Sequence, residues 1–190
     1  TDDYDAVVVC NGHYEAPYIP EIPGQDEWLN AERSIVHSLY YDEPSPYEGK
    51  SVLIVGGRSS GVDISRELQG VAEWTYVIEK KCSELVSDSE KRVTHVPMGA
   101  SLHEDGHLYF DDMKAPGPPI DRVILATGYV YAFPFLQEEA VGMQFQGRRS
   151  CRPLFLHLQH AERPTLGFVG IQLAVPCPIP TFEAQARYLG

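Results

Sequence analysis

The chain has 190 residues, with 15 basic against 27 acidic side chains and a formal net charge of −12. Its 43% hydrophobic and 22% charged content is that of an ordinary globular protein, with enough chain for one large core or two smaller ones. The acidity, with no clustered basic stripe to offset it, argues against a nucleic-acid-binding face. No run approaches the roughly 18 apolar residues of a membrane span, and no signal peptide is visible.

Tyr4 to Cys10 (YDAVVVC) is a β-branched run that predicts a buried strand. It ends at the Asn11-Gly12 turn signal, and a connector follows in which Pro17, Pro20 and Pro23 interrupt any helix. Residues 25 to 44 show no clear period, and Glu43-Pro44-Ser45-Pro46 reads as a loop. Ser51 to Val55 (SVLIV) predicts a strand buried on both faces, as in a parallel sheet. Ser59 and Ser60 then suit a helix start, and Ile64, Leu68 and Val71 follow at helical spacing. Trp74 to Ile78 completes a strand-turn-helix-strand unit.

Between Val93 and Phe110 the pattern shortens, and Glu104-Asp105-Gly106 between two brief runs predicts a hairpin. Pro116 to Pro119 is a loop. Arg122 to Ala126 is again a buried-strand run, ending at Thr127-Gly128-Tyr129. Beyond residue 130 the chain is punctuated by prolines, with a strand expected at Leu166 to Ile171 and a helix from Phe182 to Leu189.

The chemistry concentrates at Gly56-Gly57-Arg58-Ser59-Ser60-Gly61. A phosphate-binding strand-helix turn needs a first glycine for the bend, a middle position that lets pyrophosphate approach, and a third glycine for helix packing. Gly56 and Gly61 meet the outer demands, while Arg58 takes the middle place, where its guanidinium could pair with a phosphate. The helix start supplies free N–H groups and partial positive charge. Glu79 lies 23 positions beyond Gly56, where an acid binds the ribose 2′-hydroxyl of NAD, whereas Lys80 and Lys81 beside it suit the 2′-phosphate of NADP.

Other constellations are weaker. His37 in SIVHSLYY reads as a structural hydrogen-bonding residue. No Gly-x-Ser-x-Gly elbow supports a hydrolase. His157 and His160 have no acidic or cysteine partner at metal spacing, so no metal site is assigned. Cys10, Cys82, Cys151 and Cys177 are far apart and form no Cys-x-x-Cys pair, which suits a reducing compartment without disulfides.

Together these stretches resemble the flavin-dependent monooxygenases of class B, which oxygenate nitrogen and sulfur centres. The resemblance runs through YDAVVVCNGHY (4 to 14), PYIPEIPG (17 to 24), HSLYY (37 to 41), YEGKSVLIVGGRSSGVDISREL (47 to 68), VILATGY (123 to 129), HAERPTLGFVGI (160 to 171) and PIPTFEAQARYL (178 to 189). It covers nearly the whole chain. The fingerprint before His37 departs from the family at Ala31 and Arg33, which stand where Phe and Gly are usual, and Glu79 stands where many members have a small hydroxyl residue.

The resemblance implies an α/β fold with an NADP-binding Rossmann-like domain inserted into a partial FAD-binding one. Residues 1–46 would be a fragment of the FAD-binding domain and linker, 47–129 the NADPH-binding domain, and 130–190 the return segment of the FAD-binding domain. The chain starts at Thr1 without a methionine and reads as an internal piece, with the FAD glycine motif expected upstream and further family sequence downstream.

The implied cofactors are FAD and NADP, held by Gly56, Gly57, Arg58, Ser59, Ser60, Gly61, Glu79, Lys80, Lys81, Ala126, Thr127 and Gly128. The implied reaction passes hydride from NADPH to FAD, and a flavin hydroperoxide then oxygenates a small-molecule amine or thioether with molecular oxygen. No side chain is assigned as acid, base or nucleophile. The alternatives are a related flavin reductase or Baeyer–Villiger-type monooxygenase, or a nucleotide-binding fragment without activity of its own. A cytoplasmic or endoplasmic-reticulum location is expected, with any membrane attachment carried by the missing C-terminal part.

Overall fold

The structure is a computed structural model and describes residues 3–30, 32–146, 150–172 and 175–190. The backbone divides into two compact units, Thr1–Tyr18 with Tyr129–Gly190 (unit 1) and Ile19–Gly128 (unit 2). The second is thus inserted in sequence into the first, and the fold is α/β. Strand β1 (Val7–Val9) belongs to unit 1. Unit 2 contains β2 (Ser34–His37), β3 (Ser51–Val55), helix α1 (Ser59–Leu68), β4 (Trp74–Ile78), β5 (Val86–Asp88), β6 (Val93–Val96), β7 (Ser101–Leu102), β8 (Leu108–Phe110), β9 (Met113–Lys114) and β10 (Arg122–Leu125). The chain returns to unit 1 with β11 (Leu154–Phe155), β12 (Gln159–His160), β13 (Leu166–Phe168) and α2 (Pro178–Leu189).

Unit 2 is built on a six-stranded sheet in the order β2-β10-β3-β4-β6-β5. Every pair is parallel except β5 with β6. Parallel strands bury both faces, which is why SVLIV and WTYVI are continuously apolar. Val52, Ile54 and Ile124 pack with Ile64 and Leu68 of α1, together with Tyr47 and Ala72. Leu53, Tyr76, Ile78, Val123 and Leu125 face the other way, onto Trp28, Leu102, Leu108 and Ile120. The second layer is the small antiparallel sheet β9-β8-β7. Its β7–β8 turn is closed by His103 N donating to His107 O at 3.0 Å and Gly106 N to His103 O at 2.9 Å. The hairpin expected around Glu104-Asp105-Gly106 is present.

The boundaries differ from the sequence expectation in defined ways. The division expected between 46 and 47 falls inside unit 2, because β2 pairs with β10 along its whole length, His37 opposite Leu125. Residues 25 to 44, which show no period, hold the short helix Gln25–Trp28 as well as β2. Helix α1 begins at Ser59 itself, with Arg58 as its cap residue in extended conformation. It stops at Leu68, short of Val71, because Gly70 turns to φ +81, a conformation that costs glycine little. Arg33 donates to Trp28 O at 2.8 Å and lies 5.4 Å from the Trp28 ring centroid. Ala31 lies outside the described residues.

Unit 1 carries the sheet β1-β13-β12-β11, with β1 parallel to β13 and the other pairs antiparallel. Its core gathers Val9, Tyr131, Phe133, Met143, Leu166, Phe168 and Ile171. The strand expected over residues 4 to 10 is only Val7–Val9, and Val7 and Val8 are exposed. Helix α2 starts at Pro178, four residues before the expected Phe182, since proline is tolerated in a first turn. The strand expected to Ile171 ends at Phe168, before Gly170 at φ +80. Among the described residues no helix is long and apolar enough to cross a membrane.

Leu53 is fully buried in the central strand of unit 2. Leu53→Ala is expected to lower the stability of unit 2 by about 2–5 kcal/mol, the usual cost of a buried leucine cavity, read as an earlier midpoint in urea unfolding.

Candidate functional site at the carboxyl edge of the central sheet

The carboxyl ends of β3, β4, β10 and β2 bring the sequence-predicted residues of unit 2 to one edge. Gly56 to Gly61 follow β3, Glu79 to Lys81 follow β4, and Ala126 to Gly128 follow β10. From β3 the chain moves through α1 to β4 on one side, whereas β10 returns on the other side of β3. The strand order therefore reverses between β3 and β10, and a crevice at such a reversal is where open parallel sheets bind ligands.

Two glycines make the turn possible. Gly56 has φ +116, and a Cβ there would run into the backbone carbonyl of Ala126. A Cβ on Gly61 would collide with the carbonyl oxygen of Gly56. The turn, the helix start and the end of β10 meet at backbone distance, which only glycine allows. Gly56 N donates to Ile78 O at 2.9 Å and Glu79 N to Val96 O at 3.1 Å, tying each turn to the next strand.

The start of α1 presents donors outward. The first bond inside the helix is Val62 N to Arg58 O at 2.8 Å, so the N–H groups of Ser59, Ser60 and Gly61 precede the ladder. No acidic residue lies in the first turn, and Arg58 makes no side-chain capping bond. Arg58, Lys80 and Lys81 are all exposed. The helix dipole and these three cations suit an anion.

Glu79 is placed differently from the lysines. Its Oε1 accepts from His95 Nδ1 at 2.8 Å. Its side chain lies over Gly57, where a Cβ would stand 2.6 Å from Glu79 Cβ and 2.7 Å from Oε2. His95 carries no sequence signal. It reaches Glu79 because Val77 of β4 stands opposite it in the register.

His37 closes the other side of the edge. It is 2% exposed. Leu39 N donates to its Nδ1 at 3.1 Å, so the ring proton sits on Nε2, which donates to Gly128 O at 2.9 Å. Burial lowers its pKa below 6.5, against a smaller opposing effect of the bond to Gly128. A histidine read as structural from sequence thus clamps the Ala126-Thr127-Gly128 turn.

In unit 1, His13 Nδ1 lies 2.8 Å from Gly170 O and donates to it, while Nε2 is buried without a protein partner. Gly170 N donates to Gln185 Oε1 at 2.9 Å. Nothing in the sequence marks His13 apart from its place after the Asn-Gly turn. His160 Nδ1 accepts from Glu162 N and Arg163 N at 3.2 and 3.0 Å, which is turn chemistry. Among the described residues no group of three or more His, Cys, Asp or Glu side chains could hold a metal ion, and the four cysteines are free.

A family model described as flavin-binding monooxygenase-like matches residues 1–98 and 90–190. Among curated proteins the chain is 35% identical over 193 residues to flavin-containing monooxygenase FMO GS-OX-like 3 of Arabidopsis thaliana, and 36% identical over 193 residues to FMO GS-OX-like 9 of the same plant. Each match covers 98% of this chain and 40% of the relative, so the chain spans about 40% of the length of these relatives. Among solved structures, S-allyl-L-cysteine S-oxygenase from Allium sativum superposes with a TM-score of 0.83 at 33% identity, over 97% of this chain and 41% of that one. Tmm from Pelagibacter superposes with a TM-score of 0.81 at 24% identity, over 99% of this chain and 41% of that one, a likeness of fold.

The His37 clamp has a pH signature. Its folded pKa is depressed, so below about pH 6.5 the unfolded imidazole binds a proton that the folded one refuses, and stability falls as the pH drops. His37→Ala leaves the Gly128 carbonyl unpaired at an expected cost of about 1–3 kcal/mol and makes that fall shallower. Urea unfolding between pH 5 and 7.5 reads both.

Proposed function

The chain belongs to the flavin-binding monooxygenase-like family, and from that premise we propose that Gly56 to Gly61 hold the pyrophosphate of NADPH. The protein to which this chain belongs then uses FAD and NADPH to oxygenate a soft nitrogen or sulfur atom of a small molecule. The observation that carries the nucleotide site is the exclusion of side chains at Gly56 and Gly61. With the turn closed in this way, the N–H groups of Ser59, Ser60 and Gly61 stand ahead of the helix ladder, where a diphosphate would accept from them. Arg58, exposed at the middle of the turn, contributes charge, and Lys80 and Lys81 stand at the neighbouring strand end, where a 2′-phosphate would lie.

Unit 2 is accordingly the nicotinamide-nucleotide unit, and unit 1 part of the flavin unit. The fit of unit 1 to a polar nucleotide rests on the buried, unpartnered Nε2 of His13, which could bond a polar group of the bound flavin. When bound, the flavin supplies the reaction with oxygen. The residues of this chain would bind and orient the nucleotides. The Allium sativum neighbour is an S-allyl-L-cysteine S-oxygenase, which makes a thioether the first substrate to try, with a tertiary amine second.

The full-length protein should be yellow as purified and should consume NADPH and oxygen when a thioether or tertiary amine is present. Failure to hold flavin under any expression condition would overturn the assignment. Arg58→Ala is expected to weaken NADPH binding roughly tenfold, the scale of one charge-assisted contact. Unchanged affinity in titration calorimetry would show that Arg58 points away from the phosphates.

A further inference from the structure

The acid and the two lysines after β4 make opposite demands on the ribose end of the nucleotide, and the structure treats them unequally. Lys80 and Lys81 are exposed, and long exposed ammonium side chains lose rotamer freedom when they bind. Glu79 is already fixed. His95 Nδ1 donates to its Oε1 at 2.8 Å, and the side chain lies against the Cα of Gly57, inside the phosphate turn. The pair is half-buried, with side-chain exposures of 40% for His95 and 25% for Glu79.

The geometry points to His95 as a positioning residue that holds Glu79 as the reader of the adenosine ribose. This inference rests on the nucleotide site proposed above. A carboxylate has about four lone-pair positions, so the bond from His95 leaves Oε2 able to accept a 2′-hydroxyl. The same carboxylate, held still over Gly57, opposes a 2′-phosphate through like charge. The His95–Glu79 pair thus narrows the preference for NADPH over NADH that Lys80 and Lys81 would otherwise set. Without His95, the carboxylate is free to swing toward solvent and loses both effects together. Bare proximity of Glu79 to the turn would not do this, because a carboxylate on a three-bond stem with no partner samples more rotamers.

The test compares dissociation constants of NADH and NADPH for the full-length protein by titration calorimetry, in the wild type and in His95→Ala, Glu79→Ala and the double variant. His95→Ala is expected to shift the affinity ratio toward NADPH by roughly three- to tenfold, the scale of one hydrogen-bonded charge. Glu79→Ala should shift it at least as far, and adding His95→Ala to it should change the ratio no further, as expected of residues that act through one another. His95→Asn, whose amide nitrogen falls near the place of Nδ1, should keep the wild-type ratio. A merely structural role for His95 would lower both affinities together and leave the ratio alone. An unchanged ratio in His95→Ala, with both nucleotides still binding, overturns the inference and leaves the nucleotide site standing. Failure of the wild type to bind either nucleotide overturns both.

Discussion

Unit 2 depends on one close approach of backbone to backbone. The Cα of Gly61 rests against the carbonyl of Gly56, and Gly56 rests against the carbonyl of Ala126. Three segments far apart in sequence, the end of β3, the first turn of α1 and the end of β10, share a space with no room for a methyl group. A methyl at either glycine would push α1 off the sheet or β10 out of register. Ile64 and Leu68 of α1 pack on Val52, Ile54 and Ile124, so the same contact sets how the helix seats on the core. The site and the core are therefore not separable demands on the sequence.

The strand order gives that contact its consequence. Because β10 lies beside β3 on the side away from β4, the reversal of strand order falls where α1 begins and where its first N–H groups precede the helix ladder. His37 secures the far wall by donating from Nε2 to Gly128 O. Its imidazole works as a neutral donor and acceptor at once, since Nδ1 accepts from Leu39 N. A lysine or arginine could not accept, and a serine would not span the distance between strand end and turn. Arg33 plays a comparable part lower in the unit, joining Trp28 O to Glu104 O at 2.8 and 3.2 Å.

How far these features are legible from residues alone follows from burial. Ser51–Val55 and Trp74–Ile78 appear with their observed limits because both faces are covered, and an uninterrupted apolar run has no other comfortable state. β2 is not legible, because SIVH is four residues long at the edge of the sheet, and only His37 is fully buried. Val7 and Val8 show the converse, since β-branched residues mark strand propensity even where the strand is exposed. The glycine turn is readable from spacing and context despite Arg58, since the bend at Gly56 and the packing at Gly61 are both kept. His95 was not readable. Its link to Glu79 spans 16 positions and exists only through the register of β4 with β6. Resemblance covered what pattern did not, joining weak stretches into one family whose model spans the chain.

A net charge of −12 is an unpromising host for a polyanion, and the proposed nucleotide site has to meet that conflict locally. Exposed charges are screened beyond about 8–10 Å at ordinary ionic strength, so the distant acids of the surface matter less than the groups at the turn itself. There the first turn of α1 holds no acid, Asp63 further along the helix is beside Arg66 at 3.6 Å, and Glu79, which lies over Gly57, accepts from His95 Nδ1. Backbone N–H groups do not titrate and need no counterion, so they bind an anion without adding to net charge. They act over a short range only, which makes close approach the controlling quantity. The missing side chains at Gly56 and Gly61 let the turn and the start of α1 close on the end of β10, which fixes where those N–H groups stand. At the proposed nucleotide site the glycines would thus act by geometry, beside the exposed charges of Arg58, Lys80 and Lys81.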